Sequence, residues 1–104
     1  MEVRIDDKEL VRLYETGKSR KLKLRERVVD EFFAVIQELD AAISIYELWT
    51  KHPKRKFEKL KGDADRYSMR LTGKYRMEMI VNWTNTEKTI GVFLIDDVNN
   101  HYGD

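Results

Sequence analysis

Proton transfer near neutral pH falls to two side chains in this sequence, His52 and His101, and there is no cysteine. Without thiols there are no disulfides and no thiolate metal sites. No His/Asp/Glu group has ligand-like spacing either, so neither a bound metal nor another cofactor is expected. Cations are unevenly placed. Lys51 to Arg76 hold ten Lys/Arg against three acids, a net of +7, and leave the rest of the chain at −6. A second basic run, Lys18 to Arg27, has six cations and one acid. This asymmetry fits a basic surface turned toward phosphates, and equally a solvated face whose long side chains cover apolar surface.

The elements that would carry these groups follow from periodicity. With 104 residues, 41% of them hydrophobic, the chain is sized and composed as one globular domain, residues 1–104. No apolar run approaches the roughly 20 residues needed to cross a bilayer, and no signal-peptide segment is visible, so a soluble cytoplasmic protein with no membrane contact is expected. Met1 to Ile5 alternates weakly, as an edge strand would. Asp6 or Asp7 can cap a short helix that stops near Gly17. Leu24 to Ala42 places Val28, Val29, Phe32, Phe33, Val35, Ile36 and Leu39 at helical spacing, and Ile43 to Trp49 continues as a shorter helix that Pro53 closes at or before His52. His52 reads as a loop residue.

After Pro53 the period becomes two. Tyr67, Met69 and Leu71 alternate with Arg66, Ser68 and Arg70; beyond Gly73, Tyr75, Met77, Met79 and Val81 alternate with Arg76, Glu78 and Asn82. Thr89 to Ile95 is apolar on both faces and so central. The expected class is α+β, N-terminal helices on one face of a small antiparallel sheet. A turn at Thr72, Gly73 and Lys74 pairs Leu71 with Tyr75, Met69 with Met77 and Tyr67 with Met79, the register that keeps apolar on apolar. It sets Arg70 directly opposite Arg76, and like charges in that position need an anion between them. That anion is a ligand, or one of the acids Glu78, Asp63 and Asp96. Tyr67 and Tyr75 share the apolar face and read as core.

The stretch Phe57, Glu58, Lys59, Leu60, Lys61, Gly62, Asp63, followed by Arg66 to Leu71 and then by Lys74, Tyr75, Arg76, Met77, resembles the HigB-type toxins of the RelE/ParE superfamily (plasmid maintenance killer proteins). Those proteins show a Leu-Lys-Gly segment, a Tyr-Ser-(Ile/Met)-Arg strand and an aromatic-Arg-Ile strand. They finish on a tail with Asp or Asn, Tyr and His; here it runs from Asp96 to Asp104 and contains His101 and Tyr102. The resemblance covers nearly the whole chain.

It implies a RelE-like fold and the toxin of a type II toxin–antitoxin system, an mRNA interferase that cleaves messenger RNA on the ribosome. The implied partners are a helix-turn-helix antitoxin (HigA-like), in a toxin–antitoxin hetero-oligomer, together with ribosome and mRNA. Metal-free cleavage needs a base for the 2′-hydroxyl, an acid for the leaving oxygen and cations for the phosphate. On this resemblance Arg70 and Arg76 clamp the phosphate, while His101, Tyr102 and Lys61 handle protons. Lys54, Arg55, Lys56, Lys59, Arg66 and Lys74 bind RNA. The family's usual Tyr-His order is reversed here, so either His101 or Tyr102 can be the acid. Two alternatives stay open: a ParE-like toxin that is no nuclease and binds a protein target such as DNA gyrase, and a remnant that only binds its antitoxin.

Overall fold

The computed structural model describes residues 1–62 and 65–100. Along them run β1 (Glu2–Ile5), α1 (Lys8–Thr16), α2 (Glu26–Ala41), α3 (Ile45–Lys51), a 3₁₀ turn (Pro53–Arg55), β2 (Glu58–Lys59), β3 (Arg66–Arg70), β4 (Arg76–Trp83) and β5 (Gly91–Asn99). The helix ends follow local chemistry. Asp7 accepts from the amides of Glu9 and Leu10 at 3.1 and 3.0 Å and starts α1. Gly17 ends it in the left-handed region at φ 74°, donating to the Leu13 carbonyl. The Met1 ammonium donates to the carbonyls of Leu39 and Asp40, both at 3.1 Å, and to that of Ala42, a cation at the negative end of α2. Helix α3 stops at His52, the residue before proline.

The strands form one sheet in the order β1-β5-β4-β3-β2. As the hydrophobic alternation requires, Tyr67 pairs with Met79, Met69 with Met77 and Arg70 with Arg76. Strand β5 lies between β1 and β4 and is interior. The sheet departs from the expected purely antiparallel one at its edge: β1 runs parallel to β5, Val3 beside Phe93 and Ile5 beside Ile95. Short turns force antiparallel neighbours, but the chain between β1 and β5 passes through the whole helical layer, and a crossover of that length permits parallel pairing. Strand β2, which periodicity did not reveal, pairs Glu58 with Ser68 and Lys59 with Tyr67.

One core fills the space between helices and sheet. Leu10, Leu13, Phe32, Val35, Leu39 and Leu48 from the helices meet Met69, Met77, Met79, Val81, Phe93 and Ile95 from the strands. Burial of this kind supplies roughly 25 cal/mol for each Å² of apolar surface removed from water. Phe57 stacks on Tyr67, centroids 5.0 Å apart, and Trp83 meets Tyr67 edge-on at 5.7 Å. Tyr67 and Tyr75 pack half-buried against the core, on the apolar face where the pattern put them. The opposite face of the sheet carries the arginines.

Strand β5 approaches β4 closely where Gly91 faces Trp83. A Cβ on Gly91 would lie 2.8 Å from the Asn82 carbonyl oxygen and from a Val81 methyl. Backbone cannot yield as a flexible side chain does, so Gly91→Ala is expected to cost about 1–3 kcal/mol. Chemical denaturation reads this directly, and an unchanged midpoint would show that β4 and β5 are not locked at this point.

Candidate functional site

The face away from the helices is a grid of polar side chains set by strand register. One row runs Arg70, Arg76, Asn99 across β3, β4 and β5; the next runs Glu58, Ser68, Glu78, Asp97 from β2 to β5. Register shifts between Glu78 and Met79, where Asp96 is the extra residue on β5. A bulge of this kind re-aims a side chain, and here Asp96 and Asp97 both serve the polar face. Asp96 takes the Arg66 guanidinium through two hydrogen bonds of 3.0 and 2.8 Å, and Asp97 accepts from Asn99 at 2.7 Å.

Glu78 sits at the centre. It is 7% exposed, accepts from Arg66 Nε at 2.8 Å through one oxygen, and through the other from Arg76 Nε at 3.2 Å and Asn99 Nδ2 at 2.6 Å. Burial works against its charge, but the Asn99 and Arg66 hydrogen bonds and the charges of Arg66 and Arg76 outweigh this and hold the carboxyl below its usual range. Arg66 is held charged more firmly than a free guanidinium by Asp96, with Glu78 assisting. Among the described residues Arg76 is bound at Nε, with no protein partner at its terminal amino groups, on a side chain 20% exposed. That is an arginine aimed by a carboxylate, with the planar end left for bidentate contact with a phosphate or another anion.

The residues singled out by type and spacing divide into groups here. Arg70 and Arg76 are brought together, and of the three acids named as candidate anions for that pair, Glu78 reaches Arg76. Arg66 is committed to Asp96 and Glu78 within this scaffold. Arg55, expected on RNA, turns inward: it binds Glu38 at 3.0 and 2.9 Å and Glu31 at 2.7 Å and donates to the carbonyls of Arg70 and Leu71. Its side chain is 15% exposed, and both pairings, Glu38 foremost, hold its charge. Lys54 and Lys56 flank it and are exposed, as are Lys61 after β2 and Lys74 in the β3–β4 turn. Lys59 pairs with Tyr67 and so lies on the face away from the arginines. His52 places Nδ1 3.4 Å from Glu38. His101, Tyr102 and Asp63 lie outside the described residues.

Two carboxylates of the grid, Glu58 and Asp97, were not assigned a site from sequence. Glu58 stands on the arginine face, one row from Arg70, because β2 pairs with β3. A two-residue strand shows no periodicity, so only the pairing reveals its facing. Among the described residues, no group of three His, Asp or Glu side chains could hold a metal ion, and no helix is long and apolar enough to cross a membrane.

The α+β scaffold, with helices on one face of the sheet, has a counterpart among solved structures. Over 98% of its length this chain is similar to all of a solved structure, the YoeB/ParE toxin from Agrobacterium tumefaciens, with a TM-score of 0.56 and 18% identity. At that identity the likeness is one of fold. No family model matches the sequence, and no curated protein does.

The pH response of Glu78 has a defined sign. Its folded carboxyl titrates below the ordinary value of 4.5, so the stability it contributes is present above that value and is lost as pH falls toward the folded one. Denaturation midpoints measured from neutral to acid pH should therefore drop more steeply below 4.5 for the wild type than for Glu78→Gln. Parallel curves would mean that Glu78 titrates alike folded and unfolded.

Proposed function

We propose that the chain is the toxin of a type II toxin–antitoxin pair and acts as an endoribonuclease on ribosome-bound mRNA in the cytoplasm, held in check by a helix-turn-helix antitoxin. The observation that carries this reading is the Arg70/Arg76 pair, which register sets side by side with Arg76 held at Nε by buried Glu78. The shared fold with a YoeB/ParE toxin supports the class, and the order of motifs from Phe57 to Met77 supports the HigB-type branch.

In this reading the scissile phosphate sits over Arg70 and Arg76. The neighbouring 2′-hydroxyl loses its proton and attacks phosphorus, and the leaving 5′-oxygen is protonated, giving a 2′,3′-cyclic phosphate and a 5′-hydroxyl end. The arginines stabilise the extra negative charge as it develops. Glu58, on the same face as the pair, joins Lys61 as a described group within the candidate machinery. His101 and Tyr102 enter on the family resemblance alone. Lys74 and Lys54 would add phosphate contacts at the rim.

A second reading rests on charge. Glu58, Glu78, Asp96 and Asp97 share the face with Arg66, Arg70 and Arg76, a near-balanced surface that also suits a protein target. The chain would then be a ParE-like toxin acting on a target such as DNA gyrase.

Induced expression separates the two. The nuclease reading predicts arrested translation and fragmented mRNA, both relieved by Arg76→Ala, with a loss of roughly 100-fold or more in cleavage rate and an unchanged fold by circular dichroism. Filamentation and DNA damage with intact mRNA would favour the protein-target reading. Full toxicity in a folded Arg70→Ala/Arg76→Ala double variant would remove the arginine site from either.

A further inference from the structure

A cleft of about 790 Å³ opens between α2, the 3₁₀ turn and the β3–β4 hairpin, at the end of the sheet where Arg70 lies. It is within the size range of ordinary ligand pockets. Six Lys or Arg residues line it against two acidic ones, Glu31 and Glu38. Both carboxylates are already taken by Arg55 on the cleft's inner side, at 2.7 and 2.9 Å. The lining as a whole still carries four more cations than acids. Arg27, Lys54 and Lys56 have no ion-pair partner among the described residues.

Arg55 also fixes where those lysines stand. Its guanidinium ties the 3₁₀ turn to α2 through Glu31 and Glu38, and to the end of β3 through the carbonyls of Arg70 and Leu71. With Arg55 turned inward, its neighbours Lys54 and Lys56 are exposed on a turn anchored from both sides, and Arg27 faces them from the first turn of α2. Cations carried on an anchored turn suit a phosphate, because the backbone that bears them needs no ordering on binding. His52 and Pro53 add flat surface to the same wall, and a histidine ring can stack on an unpaired base.

We infer that this cleft is a second phosphate subsite, in which Arg27, Lys54 and Lys56 hold the backbone of single-stranded RNA next to the phosphate at Arg70 and Arg76. Arg70 belongs to both, so one strand crossing the Arg70/Arg76 pair runs on into the cleft. The inference rests on the nuclease reading and extends it by giving the RNA a path. Arg55 has a positioning part in it and does not touch the strand.

The test is binding of a short 2′-O-methyl RNA, about eight nucleotides long and resistant to cleavage, across a range of salt. Lys54→Gln/Lys56→Gln and Arg27→Gln should each weaken binding about tenfold. The slope of log Kd against log salt should fall by about 0.7 for each phosphate that a variant no longer neutralises. Lys8→Gln/Arg12→Gln, which removes as much charge from α1 as the double lysine variant removes from the cleft, should leave both unchanged. If the cleft variants bind like the α1 control while Arg76→Ala weakens binding, the cleft subsite is wrong and the arginine site stands. If wild type binds no RNA, the cleft subsite is wrong, and the nuclease reading is judged by the expression test alone. Adenosine monophosphate binding as tightly as the oligonucleotide would make the cleft a free-nucleotide site and overturn the RNA path.

Discussion

Glu78 is nearly out of water and still charged, and that condition organises the polar face of the sheet. A buried carboxylate is tolerated only when its lone pairs are filled, and here Arg66, Arg76 and Asn99 fill them. Each of the three is in turn fixed by the demand. Arg66 is shared with Asp96, which reaches it because the strand bulges at that point. Arg76 is gripped at Nε, which leaves its terminal amino groups uncommitted to Glu78. With three partners on one carboxylate, losing Arg76 or Asn99 still leaves the Glu78 charge paired with Arg66.

The rest of the fold keeps the grid flat and in register. Met69, Met77 and Met79 are completely buried on the opposite side of the same strands, so a slip of one residue would drive Arg70, Arg76 and Glu78 into the core. Gly91 allows β5 to lie close against β4 and continue the rows as far as Asp97 and Asn99. On the far side, Arg55 clamps α2 to the end of β3. The hairpin bearing the arginines is thereby fastened to the helical layer by charge as well as by apolar packing.

Much of this could be read from residue order. The alternation of Tyr67, Met69 and Leu71 against Tyr75, Met77 and Met79 dictates the hairpin register, and the Arg70/Arg76 pair follows from it. Asp7, Gly17 and Pro53 mark the helix ends by chemistry that acts within a few residues. What escaped is long-range or too short to have a period. The direction of β1 depends on a crossover, and β2 has two residues. Arg55 and Lys54 look alike in a basic run; only the fold shows that α2 brings Glu31 and Glu38 to one of them. Arg66 likewise finds Asp96 across thirty positions of chain through a bulge that no local pattern announces.

Function in this account comes down to whether Glu78 acts through Arg76. A double-mutant cycle on RNA cleavage addresses that coupling, with Glu78→Gln, Arg76→Ala and the double variant compared in a reconstituted translation reaction. Non-additivity is expected: Glu78→Gln slows cleavage when Arg76 is present and costs little more once Arg76 is gone. Full, independent losses from the two substitutions would contradict it, because Glu78 would then be acting by a route that does not pass through the arginine.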